Sequence, residues 1–451
     1  MKLTGFPLLA VSSLLLTAAA SAAIRPHYGG TLHVEIQAAL TSLDPANQTA
    51  SSGARSVLAL IFDTLVSLDE RGQPSPVLAT AWQAAPGNQR WQFSLRGGVS
   101  FSDGTPVTPE AAAAALRRAN PTWKVMAGQG TVTIERDAPA PDLPAELALQ
   151  RNSIAKIENG TIVGTGPFAV GRWDPGKILV VTARDDYWGG RPFLDSIEID
   201  VAKSFRDQMI SFDLGQSQLI QIPPEQAQGA ATQSRPLRVS APVELVALAF
   251  VREPQSPQDA KQREVLALSI DRTLLNSVVL QGAGEPAGGL LPNWITGYSF
   301  LFPVNADLTH AQQLRAEIPQ TSLWNLGFDA SDPLARVLAD RIVLNASDAG
   351  LRVQVTNKAD PDIRLVRILL ASLDPHVALT ELAKSLGMPE PRLAGDSADD
   401  LYHAESTMLQ SQRVIPLLHL RMAWAVSTSV RGWGEDRGGA WRLPDTWLAK
   451  P

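Results

Sequence analysis

The chain has 451 residues, 45% of them hydrophobic and 19% charged, with a formal net charge of −6. That length supports two or more packed domains, and the acidic balance, with no basic run long enough to track phosphates, argues against a nucleic-acid partner. Cysteine is absent, which removes disulfides, thiolate metal sites, cysteine nucleophiles and a lipid-modified N-terminal cysteine together.

Residues 1–23 combine Lys2, an apolar centre and a small-residue tail ending in Ala20, Ser21 and Ala22, the pattern of a cleavable secretory signal. No later segment is apolar for long enough to span a bilayer. Residues 31–36 alternate Leu32, Val34 and Ile36 against His33 and Glu35, which predicts a half-buried strand, and residues 52–65 carry apolar side chains at helical spacing. Trp91, Phe93 and Leu95 then alternate toward one face, and Asp103-Gly104 supplies a turn. Thr108 is a good N-cap, Pro109 fits the first helical position, and Glu110 lies near the positive end of the dipole. The alanine run from Ala111 favours helix.

Further on, residues 243–251 form an apolar run that reads equally as a buried core strand or as a strand crossing between two lobes. Asp332-Pro333 caps a helix that runs to Gly350, and Leu351, Val353 and Val355 alternate behind it as a strand. Residues 414–420 read as a strand carrying His419 in a structural role. Proline- and glycine-rich breaks fall at 138–144, 223–236, 252–262, 282–292 and 387–396. The order of elements is α/β, with no repeat of solenoid period.

Constellations for catalysis are missing from the sequence: no G-x-S-x-G elbow, H-E-x-x-H helix or G-x-x-x-x-G-K-[ST] loop occurs. The six histidines are scattered singly, without metal-ligand spacing. Adjacent carboxylates such as Asp185-Asp186 and Asp399-Asp400 point different ways and read as solvated turn or helix-start residues. These features predict neither an enzyme nor a cofactor or metal site.

Several blocks recur in an order that resembles the extracytoplasmic solute-binding proteins, family 5, which serve ABC importers for peptides and nickel. They are G-G-T-L-H-V at 29–34 with S-L-D-P-A at 42–46, and I-F-D-T-L-V-S-L-D at 61–69 with G-Q-P-S-P-V-L-A-T-A-W at 72–82. The stretch L-R-G-G-V-S-F-S-D-G-T-P-V-T-P-E at 95–110 follows, then G-T-G-P-F at 164–168 and R-D-D-Y-W-G-G-R-P-F-L-D-S-I-E-I at 184–199. R-E-V-L-A-L-S-I-D-R at 263–272 is similar to the helix that opens the family's second lobe.

The resemblance implies a two-lobed α/β clamp with an extra subdomain in a discontinuous first lobe: a signal peptide over 1–23, lobe 1 over 24–243, lobe 2 over 244–424, and a return to lobe 1 over 425–451. It implies a monomeric, periplasmic protein that closes on a small-molecule or peptide solute and delivers it to an ABC permease and ATPase complex. The candidate ligand residues are Thr49 and Ser51 in the loop after the first strand, Trp123 and Trp294 beside proline-rich loops, and Asp374 and His376 in the Asp-Pro loop. Peptide-binding relatives often carry a tryptophan and an acid just upstream of that Asp-Pro. This chain has Ile368 and Ala371 there, which argues against dipeptide capture through the same geometry. An exported interaction protein that kept the clamp but lost transport is the alternative reading.

Overall fold

Chain order and sheet order differ in this protein, and the difference is what makes two lobes out of one sheet. The computed structural model describes residues 26–47, 52–158, 160–232, 236–297, 302–358, 360–393, 395 and 397–449; the expected leader lies outside them.

The predicted first strand is β1 (Thr31–Glu35), followed by α1 (Ser52–Ile61). A small subdomain comes next: β2 (Ala79–Ala84), β3 (Arg90–Leu95), β4 (Lys124–Ala127) and β5 (Thr131–Glu135) form a sheet in the order β2-β3-β5-β4, and α2 (Pro109–Ala119) packs its fully buried Leu116 in one core with Phe93 and Val132 of that sheet. The start of α2 follows the sequence reading. Thr108 accepts from the Ala111 amide at 3.2 Å, Pro109 opens the helix, and Gly104 takes φ +82 in the preceding turn.

Three lobe-1 strands follow, β6 (Phe168–Asp174), β7 (Ile178–Ala183) and β8 (Ser196–Asp200), then β9 (Leu219–Ile222) and the long β10 (Leu237–Phe250). Lobe 2 supplies α3 (Pro257–Ser269), β11 (Gly284–Pro286), β12 (Leu323–Gly327), α4 (Pro333–Asp348), β13 (Arg352–Val355), β14 (Ile363–Leu369), α5 (Pro375–Ser385) and α6 (Ala398–Gln410). A second long strand, β15 (Val414–Val426), closes the path. All these strands outside the subdomain join one 11-stranded sheet, β6-β7-β8-β1-β9-β15-β10-β14-β12-β13, with β11 paired to β15.

The middle of that sheet is the hinge. β10 and β15 run antiparallel for their whole length, Leu237 opposite Ala425 at the lobe-1 end and Ala249 opposite Val414 at the lobe-2 end, with register shifts around Pro242. Trp424 and Met422 pack in the core built on β1, β7 and β8, whereas Leu420 and Leu418 pack in the core built on α3 and α4. The residues after β15 return to the first core, where Trp441 lies edge-on to Trp424 at 5.0 Å between ring centroids. The first lobe is therefore discontinuous.

Three of the recurrent blocks meet at one buried guanidinium. Arg184, 5% exposed, donates to the carbonyls of Gly166, Ser100 and Phe101 at 3.1–3.2 Å and to Asp186 at 3.0 Å, and this charge holds the Asp186 carboxyl down to about 2. The glycines of G-T-G-P-F are needed because a Cβ on Gly164 would fall 2.0 Å from the Ile61 carbonyl oxygen, at the end of α1. Those motifs lock subdomain to lobe.

Some predicted elements come out differently. The helix over 52–65 stops at Ile61, where the Gly166 amide takes the Ile61 carbonyl. Glu35 is buried rather than half-exposed, although Thr31 and His33 on the same face stay half-buried; burial pushes its carboxyl up, and a hydrogen bond with Ser211 partly offsets the shift. The breaks at 223–236 and 252–262 contain a short helix, Ala227–Thr232, and the start of α3. Pro257 sits at the first position of α3 behind Ser256 as N-cap, so proline there begins a helix rather than a loop.

Candidate binding cleft between the lobes

The strands β1 and β9 in lobe 1, and β12 and β14 in lobe 2, point their C-terminal ends at one another across the hinge. In open α/β sheets that is where ligands bind. Two adjoining cavities of about 320 Å³ and 260 Å³ lie between the lobes on the subdomain side, and Arg55, Gln150 and Ala371 line both. Their size is at or below the lower end of the roughly 300–1,000 Å³ usual for small-molecule sites.

Arg55 stands on α1, and one of its terminal nitrogens donates to the Leu370 carbonyl of the opposite lobe. Burial lowers its pKa, yet a guanidinium stays charged. The facing wall, Leu370 to Leu373, offers backbone and the Ser372 hydroxyl but no carboxylate. Asp63 lines the smaller cavity and accepts from the Trp188 indole at 2.8 Å and the Tyr187 hydroxyl at 3.2 Å; burial raises it to about 6. Asp436, from the returning tail, accepts from the Ala440 amide at 2.9 Å, and burial raises it too.

The rim of the cleft is held by side chains. Arg151 makes a bidentate pair with Glu381 of α5, at 2.5 and 3.0 Å, and Lys384 reaches the same carboxylate at 2.9 Å. Burial raises Glu381, but the hydrogen bonds and charge of Arg151 and Lys384 outweigh it, leaving the carboxyl below its usual range. Beside this pair, Val377 packs on Ala145 and Leu149. Gly72, at φ +77, approaches so closely that a Cβ would lie 2.5 Å from the Leu373 carbonyl oxygen.

The sequence-predicted residues are distributed over three places. Thr49 and Ser51 lie outside the described residues, while Pro45, Ala46 and Ala54 on either side of them line the larger cavity. Trp123 and His376 come together on a wider groove of about 690 Å³ at the outer rim, where Trp123 is 7% exposed under the Arg136 guanidinium and His376 lies 3.7 Å from Asp142. Asp374 is the N-cap of α5, accepting from the Val377 amide at 2.9 Å. Trp294 sits at the hinge instead, its indole donating to the Pro242 carbonyl at 2.8 Å. His419 is bonded at 3.1 Å to the Leu290 carbonyl inside lobe 2, and burial lowers it to about 4, in keeping with a structural role.

Sequence reasoning missed Arg55, Arg151 and Glu381. Arg55 did carry a signal, being the single charged residue between Asp44 and Asp63. Among the described residues no group of three or more His, Asp or Glu side chains is placed to hold a metal ion, and no helix is long and apolar enough to cross a membrane.

The model of the bacterial extracellular solute-binding proteins, family 5 (middle region), matches residues 73–367. The chain belongs to that family. Family 5 chains are solute-binding proteins rather than enzymes. Uncharacterized protein YhjP of Bacillus subtilis is 35% identical over 174 residues, 35% of this chain and 30% of that protein. The periplasmic murein peptide-binding protein MppA of Escherichia coli is 25% identical over 341 residues, 66% of this chain and 63% of that protein. The matched part thus spans less than two thirds of either relative's length. Among solved structures, Escherichia coli MppA superposes with a TM-score of 0.80 at 17% identity, covering 93% of this chain and 99% of that one. NikA from Staphylococcus aureus in complex with Ni(L-His)2 gives 0.79 at 15% identity, again over 93% and 99%. These likenesses establish the fold as the two-lobed clamp.

Proposed function

We propose that this protein is the periplasmic solute-binding component of an ABC import system, capturing a small solute in the interlobe cleft and handing it to a permease and ATPase complex. The observation that carries this reading is the pair of long strands, β10 and β15, which join two separately cored lobes while a cavity lined from both lobes lies between them. A hinge of continuous backbone with a cavity beside it is the mechanical requirement of a clamp. Closure is driven only by contacts better made in the closed state.

In this reading a leader over 1–23 directs export, residues 24–243 and 425–451 make one lobe, residues 244–424 make the other, and the protein acts as a monomer without chemistry. The murein peptide named for MppA and the nickel named for NikA mark the range of solutes such clamps take. Native mass spectrometry of protein released from the periplasm by osmotic shock, together with a thermal-shift screen, tests the proposal. A co-purifying small molecule, or a screened solute that raises the melting temperature by mass action, supports it. A protein that carries nothing and responds to no solute class contradicts it.

A further inference from the structure

The cavity's charges are unequally matched. Arg151 and Glu381 satisfy each other at the rim. Asp63 is occupied by two donors, and Asp436 by the Ala440 amide. Arg55 alone among the charged side chains lines both cavities and, among the described residues, forms no ion pair within 4.0 Å; its one hydrogen bond there goes to the Leu370 carbonyl, and Asp436 acts on it only at longer range.

A guanidinium has five donors in a planar fork suited to two oxygens of one anion. A single carbonyl uses a fraction of that capacity. The side chain is half-buried, and the nearby Asp436 carboxylate acts on it through space without a direct ion pair, so most of the fork is left for another acceptor. The wall opposite contributes Ala371, Ser372 and Leu373, none of them charged, and burial pushes the two carboxylates of the same cavity, Asp63 and Asp436, toward their neutral forms.

We propose that the solute of this cleft carries an oxyanion, a carboxylate or a phosphate monoester, which docks on the Arg55 fork, and that a free ammonium is not required for capture. This rests on the solute-capture reading and adds to it the chemical class of the solute and the residue that selects it. Arg55 also touches the opposite lobe, so an anion on its remaining donors links binding to the closed arrangement.

The test is a thermal-shift and calorimetric screen of matched pairs: carboxylic acids with their primary amides, phosphate monoesters with their parent alcohols, and amines with their N-acetyl derivatives. The expected result is that the tightest binder is an acid or a phosphate ester, at least tenfold tighter than its neutral partner; which arm wins separates the two anions. Arg55→Gln then loses tenfold or more for that binder while its ligand-free melting temperature stays close to that of the parent, and Arg55→Lys, which keeps charge without the fork, falls between. Tightest binding by amines or neutral members, or affinity for the anion unmoved in Arg55→Gln, overturns the proposal while leaving solute capture intact. No response from any member overturns solute capture, and this proposal with it.

Discussion

The two lobes touch in two places that are built differently. At the hinge they are joined by backbone: β10 and β15 carry their ladder from one core into the other, and fully buried side chains such as Leu248 and Trp424 fix each end. At the rim no strand ladder joins them; the contacts run through side chains, the Arg151–Glu381 pair, the Arg55 bond to the Leu370 carbonyl and the Val377 contact, with Gly72 close to Leu373. Breaking the first means unfolding part of each core. Breaking the second exposes a few partly solvated groups that water can satisfy. The molecule therefore has one side that bends and one side that opens, and the difference is decided by what is covalently continuous.

The comparison breaks most visibly at the hinge. Trp424→Ala, which empties a fully buried site, should cost about 3–5 kcal/mol in urea unfolding; a loss below 1 kcal/mol would remove the hinge from the stability of the fold. At the rim, Glu381→Ala should shift the closed arrangement toward open by roughly tenfold, about 1.4 kcal/mol. The melting temperature should change little. A variant that unfolds cooperatively at much lower temperature would make the rim part of the core.

Acid should act on the rim in the same direction. The Glu381 carboxyl is held below its usual value, so its pair is present above the ordinary carboxylate range and is lost as pH falls through the lower folded value. Scattering profiles should expand there, and those of Glu381→Ala should not. Glu435, behind the cleft, has the opposite sign: burial and the neighbouring Asp436 raise it to about 8. The folded state keeps a proton that the unfolded state releases, so stability falls as pH rises from about 4.5 to 8. Glu435→Gln should flatten that slope, and an unchanged slope would assign it elsewhere. The smallest effect is Trp294→Phe, which removes the bond to Pro242 but keeps a ring, at about 1 kcal/mol.

Local structure was legible wherever spacing and capping act within a few residues. Thr108 and Pro109 opened a helix, Asp332 and Pro333 another, and Val353 lay on a strand as its alternation required. The family blocks identified the clamp. What they did not reveal was their own purpose, because Arg184 gathers carbonyls from residues about 20 and 80 positions away and no local pattern records that closure. The site was less legible for the same reason. Trp123 and His376 share a groove, but Trp294 serves the hinge and Asp374 caps a helix, both roles set by partners distant in sequence or by the backbone itself. Arg55 is one charge on an otherwise uncharged helix, and its role depends on Leu370 and Ala371 of the opposite lobe, which no local pattern records.

Because the chain has no cysteine, a pair of spin labels can be placed without background. Glu110→Cys on the subdomain and Asp340→Cys on α4 are both exposed and lie on opposite sides of the rim. Distances between them, measured by pulsed electron resonance in the parent and in Glu381→Ala, test the clamp most directly. The account predicts a longer-distance population that grows when Glu381 is removed, with the melting temperature nearly unchanged. One distance distribution, identical in both proteins, would contradict it.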